Sequence, residues 1–170
     1  YEIPLRLVGS EMCIRDSMGE MFSNCSALTS LDVTNFNTAN VKNMGYMFFG
    51  CSKLTSLDVT HFNTEKVTNM SYMFSSCVAL TSLYLTNFNT EKVTNMGHMF
   101  SGCQALTTIY ASSKFVTTQV SNSSDMFNKC EKLKGEVEEW TDDKATDKTY
   151  AKIEGCLLYT SPSPRDVEES

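Results

Sequence analysis

The chain has 170 residues, the usual length of one domain, with a formal net charge of −6 and an isoelectric point near 4.9. An acidic chain is repelled by nucleic-acid phosphates and by anionic lipid headgroups, so its charge argues against both as partners. No stretch approaches the ~20 apolar residues that cross a bilayer, and we expect no membrane contact by this chain.

The two ends differ in composition from everything between them. All three prolines and all three arginines lie in Tyr1–Ser17 and Cys156–Ser170. The two segments can be encoded by opposite strands of one DNA sequence, because the reverse complement of a back-translation of the first encodes all 15 residues of the second. Inverted flanks of this kind resemble a translated sequencing adaptor and are excluded from reasoning about the fold. A genuine N-terminal arm and Pro-rich tail is the alternative.

The sequence between these ends repeats every 26 residues. Copies begin at Met18, Met44, Met70 and Met96, and a degenerate fifth copy begins near Ser123. In the first copy apolar residues fall at i, i+3, i+4, i+7 and i+10 from the first methionine. This spacing is typical of one face of a helix and predicts a short helix in each copy.

The second half of each copy has a different period. Leu31 and Val33 alternate with polar residues, which predicts a short strand in each copy. The following NFNT segment is turn-like, and we expect its phenylalanines (Phe36, Phe62 and Phe88) to point inward.

Stacking the copies would bury both apolar faces. The predicted fold is therefore α/β, a leucine-rich-repeat-like solenoid of 26-residue coils with a short parallel sheet on one face and short helices on the other. Residues 18–135 would form the repeats, with four good coils and one degenerate coil. Residues 136–155 break the repeat and would form a C-terminal cap, in which Trp140 and Tyr150 cover the last coil. Residues 1–17 and 156–170 are the expected adaptor segments.

The repeat pattern MxxMFxxCxxLTSLDxTxFNTxxVTNM resembles the BspA-like leucine-rich repeat surface proteins, also described as mycoplasma-type lipoprotein repeats. The resemblance covers about Met18 to Gly135. It implies a secreted or surface-anchored protein that adheres to host or matrix proteins, and an extracellular or cell-surface location.

One cysteine recurs in each copy, on the apolar face of the predicted helix. Metal sites need several ligands at close spacing, such as CxxC pairs, and none occurs here. We expect a structural column of buried thiols, with some disulfides or a reactive role as alternatives. The column consists of Cys25, Cys51, Cys77, Cys103 and Cys130.

The outward strand positions are the candidate binding face. The middle position reads Asp32, Asp58, Tyr84 and Tyr110 from copy to copy. Solenoids commonly bind along such a face, and tyrosine is favoured at protein interfaces. Ordinary packing of a solvated sheet is the alternative reading.

No catalytic motif and no unrepeated cluster of acid, base and nucleophile is present, so we expect neither an enzyme nor a cofactor. His61 and His98 each replace a different residue of their columns, and we expect both to be surface substitutions. The sequence favours a protein-binding or adhesion module with a protein partner. A purely structural stalk and a fragment of a larger enzyme remain as alternatives.

Overall fold

The computed structural model describes residues 16–133, so the predicted cap, the segment 156–170 and most of the segment 1–17 lie outside it. Within this range the 26-residue copies form coils stacked along one axis. Backbone hydrogen bonds join neighbouring coils, since Tyr46 N–H in the second copy donates to the Ser71 carbonyl oxygen in the third at 2.9 Å. We number the coils 1 to 5 from their first residues, Met18, Met44, Met70, Met96 and Ser123.

The expected layer of helices is absent from the described residues, 16–133. Residues 16–133 contain no helix, so the predicted α/β fold with helices on one face is wrong. The first half of each coil is instead a series of tight turns. In coil 2, Phe49 N–H donates to the Tyr46 oxygen three residues earlier (3.1 Å), whereas Phe48 N–H reaches the Met73 oxygen in coil 3 (3.0 Å). Amides alternate between these two directions, which replaces the i to i−4 pattern of a helix.

A left-handed backbone at two places in each coil explains why no helix forms. The third residue of every coil has φ between 52° and 63°, and the seventh has φ between 59° and 77°. A right-handed helix needs φ near −60° throughout, so one such residue interrupts it. In coil 2 these residues are Tyr46 and Gly50, which occupy the position that is left-handed in type II turns.

The sheet is small and lies on the opposite side of the coils. It consists of two parallel strands, β1 (Ser82–Leu85) and β2 (Thr108–Ala111), which pair in register with Leu83 opposite Ile109. The sequence predicted a strand in every copy, whereas within residues 16–133 only coils 3 and 4 form one. The remaining parallel pairing in this range is a column of isolated bridges through Ser17, Asn43, Asn69, Asn95 and Asn122.

The side chains of Asp32 and Asp58 account for the missing strands in coils 1 and 2. Asp58 Oδ1 accepts hydrogen bonds from the Thr60 N–H (2.9 Å) and hydroxyl (2.6 Å), and Asp32 makes the same contacts to Thr34. A local side-chain to backbone bond offers the chain an alternative to the ladder between strands. Coils 3 and 4 carry tyrosine at this position, which favours a strand and cannot accept such a bond.

The core runs the length of the stack between the turns and the strands. Its centre is a column of phenylalanines in which Phe74 stacks on Phe48 at 5.7 Å and on Phe100 at 5.8 Å between ring centroids. The phenylalanines of the NFNT segments pack beside this column. Phe62 and Phe88 are buried as expected, while Phe36 in coil 1 is only partly buried.

Candidate functional site

The four residues of the candidate binding face lie one above the other on the outward side of coils 1 to 4. Asp32 and Asp58 are exposed, Tyr84 is 46% exposed, and Tyr110 is partly exposed. We call this column of four side chains the outward strand face. On the opposite side of the same segments, residues such as Leu83 are fully buried in the core.

The tyrosines of the outward strand face form a stacked pair. The ring centroids of Tyr84 and Tyr110 are 4.5 Å apart and the rings are 8° from parallel. This contact follows from the register of β1 and β2, which places the two residues directly opposite each other. The pair is a rigid aromatic projection from a surface whose other outward residues in coils 3 and 4 are serine and threonine.

The aspartates of the face are held in fixed orientations and remain ionised at neutral pH. The Thr60 hydroxyl and then the Thr60 N–H lower the pKa of Asp58. The Thr34 N–H and then the Thr34 hydroxyl lower the pKa of Asp32. Both hydrogen bonds reach Oδ1 in each case, which leaves Oδ2 of each carboxylate for an external partner.

A shallow recess opens at the corner that follows the strand positions of coils 2 and 3. Its volume is about 420 Å³. Its wall is polar and combines amide side chains with His61 and Lys114. His61 is exposed, as the sequence predicted, and its Nδ1 lies 3.3 Å from the Thr60 hydroxyl oxygen.

A second aromatic column lies on the turn side and was not predicted. Tyr72 stacks between Tyr46 and His98, with ring centroids 4.4 Å away on each side. Nε2 of His98 also lies 3.8 Å from Oδ2 of Asp125, and the His98 side chain is only 27% exposed. His98 is therefore more than the simple surface substitution that the sequence predicted. The sequence already contained the pattern that predicts this column, because Tyr46, Tyr72 and His98 share the third position of their copies.

The recurring cysteines line the core between the turns. Cys77 donates its thiol hydrogen to the Phe48 carbonyl oxygen of coil 2 (3.2 Å), and the buried cysteines of coils 2, 4 and 5 repeat this contact. Burial raises the pKa of Cys77 to about 12 and that of Cys51 to about 11. All five cysteines between residues 16 and 133 are free thiols; Cys25, in coil 1, is only partly buried.

Two further kinds of feature are absent from the described part of the chain. Residues 16–133 contain no group of three or more histidine, cysteine, aspartate or glutamate residues arranged to hold a metal ion. The same residues include no helix with the length and apolar character required to cross a membrane.

One comparison with known proteins gives a match. A family model described as a mycoplasma protein of unknown function, DUF285, matches residues 16–140, which is well over half of the chain. No curated protein and no solved structure matches at a significant level. The predicted resemblance is thus confirmed at the level of a mycoplasma-type repeat family, and the finer BspA-like assignment stays a prediction.

Proposed function

We propose, from the premise that the chain belongs to the DUF285 family of mycoplasma-type repeat proteins, that it is a non-enzymatic protein-binding module. The module would be BspA-like and part of a secreted or surface protein, where it adheres to a host or matrix protein. Its contact surface would be the outward strand face.

The stacked pair of Tyr84 and Tyr110 is the observation that carries this proposal. Tyr84 is 46% exposed, although removing a large aromatic ring from water lowers the free energy of the system. The 4.5 Å stack fixes both rings before any partner arrives, so little side-chain entropy remains to be lost on binding. Preorganised tyrosines of this kind are frequent among residues that dominate protein interfaces.

The alternative is a structural spacer in which the repeats only set a length. The continuous core and the ladder of backbone hydrogen bonds between coils would serve that role equally well. A spacer does not need an exposed aromatic pair, and this difference makes the two functions separable by mutation.

The test compares the full chain with a variant that carries Tyr84→Ser and Tyr110→Ser. Both proteins are titrated by surface plasmon resonance against a panel of immobilised extracellular-matrix and host-surface proteins. We expect a protein that binds the unsubstituted chain to bind the variant about tenfold or more weakly. Truncating a tyrosine at the centre of an interface lowers the binding free energy by ~2 kcal/mol.

The matched control substitutes Tyr46→Ser on the turn side, which removes the same kind of ring from a different surface. Circular dichroism verifies that each variant remains folded. Unchanged binding by the folded Tyr84 and Tyr110 variant would refute the outward strand face as the contact surface.

A further inference from the structure

The outward strand face changes its chemistry between coil 2 and coil 3. Asp58 occupies the middle outward position in coil 2, and Tyr84 occupies the same position in coil 3. Two to three residues beyond these positions the coils are in contact, because the Asn87 side-chain N–H of coil 3 donates to the Thr60 carbonyl oxygen of coil 2 at 2.7 Å. A carboxylate and an aromatic ring are therefore neighbours at this step and at no other step of the face.

The two faces of the Tyr84 ring have different neighbours. Tyr110 covers the ring face that looks toward coil 4, with a centroid distance of 4.5 Å. On the side of coil 2 the neighbouring side chain is Asp58, which is too short to cover a tyrosine ring and is turned toward Thr60 by hydrogen bonds of 2.9 and 2.6 Å. The 46% exposure of Tyr84 is consistent with this uncovered side.

The ring of Tyr84 and the carboxylate of Asp58 together form a candidate site, which we call the seat. Because tyrosine is the longer side chain, its ring extends further from the backbone than the carboxylate of Asp58 does. A group bound there would contact the π face of the ring and Oδ2 of the carboxylate at the same time. Asp32 lies one coil further along and adds a second negative charge, and the outward positions of coils 1 to 4 hold no lysine or arginine to neutralise either.

We propose that this seat binds an arginine side chain of the protein partner, between the ring of Tyr84 and the carboxylate of Asp58. A guanidinium group is planar, stacks on aromatic rings and donates hydrogen bonds from its edge to a carboxylate. The occupant is thus a basic segment of a protein. This inference rests on the proposed function, which it deepens by giving the partner a chemistry.

The test uses the full chain labelled with ¹⁵N and ¹³C and two short peptides. The first is an acetylated, amidated peptide that alternates arginine with glycine, and the second replaces each arginine by citrulline, which has nearly the same shape without the charge. Chemical shifts of the Tyr84 ring and of the Asp58 backbone amide are followed by NMR. We expect the arginine peptide to shift both signals saturably and the citrulline peptide to shift neither.

Variants then assign the contacts. Asp58→Asn can still accept the Thr60 hydrogen bonds but loses the charge, and we expect it to weaken arginine binding by about three- to tenfold. Tyr84→Leu should weaken binding by a similar factor, whereas Tyr84→Phe keeps the ring and should retain binding. Glu91→Gln removes one exposed carboxylate away from the face and is the matched charge control.

Equal binding of the two peptides, or equal effects of Asp58→Asn and Glu91→Gln, would contradict the proposal that the seat binds arginine.

The two proposals fail in different ways. If the tyrosine substitutions abolish binding to a host protein while Asp58→Asn leaves it unchanged, the arginine seat is wrong and the proposed function stands. If the tyrosine substitutions leave host-protein binding unchanged, the proposed function itself is wrong.

Discussion

Coils 2 and 3 differ little in sequence along the outward side but differ in backbone structure. Coil 2 reads SLDVT and coil 3 reads SLYLT, yet only coil 3 contributes a strand, β1. The inward residues of both coils are fully buried, as Val59 and Leu85 illustrate. The core therefore does not decide between the two conformations. The outward residue does, since Asp58 bonds to the next threonine and Tyr84 stacks on the next coil.

A second difference separates coil 1 from the interior coils. Phe36 is only partly buried, whereas Phe88, at the same repeat position in coil 3, is 0% exposed. Interior coils have a described neighbour on both sides, and Phe74, for example, stacks between Phe48 and Phe100. The same substitution at equivalent positions should therefore lower the free energy of unfolding by different amounts along the stack.

The largest expected effect is the loss of a buried phenylalanine. Phe88→Ala should lower the free energy of unfolding by ~3–5 kcal/mol, because it removes a large apolar group and leaves a cavity. Phe36→Ala should cost less than about half of that, since its ring is already partly in water. Urea denaturation followed by circular dichroism measures both values. Equal costs would show that coil 1 is packed as tightly as coil 3.

Exchanging the outward residues should exchange the local structure. Tyr84→Asp should lower stability by ~1–2 kcal/mol, through the lost ring stack and the lower strand propensity of aspartate. Asp58→Tyr should extend the sheet into coil 2. Hydrogen exchange of the backbone amides in residues 56–60 and 82–85 reports both changes, with Tyr84→Phe as the control. If Asp58→Tyr leaves the protection of the coil 2 amides unchanged, the outward side chain does not determine whether a coil forms a strand.

The smallest expected effect is a dependence of stability on acid pH that originates in coils 1 and 2. The pKa of Asp58 is lowered in the folded state by the Thr60 hydroxyl and N–H. Its stabilising contribution is therefore complete above its unfolded value near 3.8 and is lost as the pH falls through the lower folded pKa.

Asp58→Asn should flatten the decrease in Tm between pH 5 and pH 2 by on the order of 1 °C, since the carboxylate is exposed. Differential scanning calorimetry measures the difference, and Glu91→Gln serves as control. A Tm profile identical to that of the unsubstituted chain would contradict the assignment of this acid sensitivity to Asp58.

Hydrophobic periodicity identified which residues are buried but not the conformation that buries them. Met44, Met47, Phe48 and Cys51 have helical spacing and are all 0% exposed, yet they lie in successive turns. A chain that turns every two or three residues can place the same positions inward. Gly50 and Gly102 at the seventh position were the available warning, because glycine readily adopts positive φ.

The candidate binding face was found in sequence because its residues share one repeat position. Their column arrangement follows from the 26-residue period alone. The stacking of Tyr84 on Tyr110 and the turning of Asp58 toward Thr60 could not be read from the period, because they depend on register and rotamers. The second aromatic column around Tyr72 was missed for a related reason, since only His98 of this column was considered, as a surface substitution.

The sequence by itself determined the repeat length, the membership of a mycoplasma-type repeat family and the identity of the inward residues, since each of these is a matter of period and composition. Only the tertiary structure decided how the backbone satisfies its hydrogen bonds. Each coil offers its amides a choice between partners in the same coil and partners in the next. In the first half of coil 1, alternate amides donate to carbonyl oxygens of the neighbouring coil at 2.6–3.0 Å. Because these amides have partners in the next coil, the segment forms turns and not a helix.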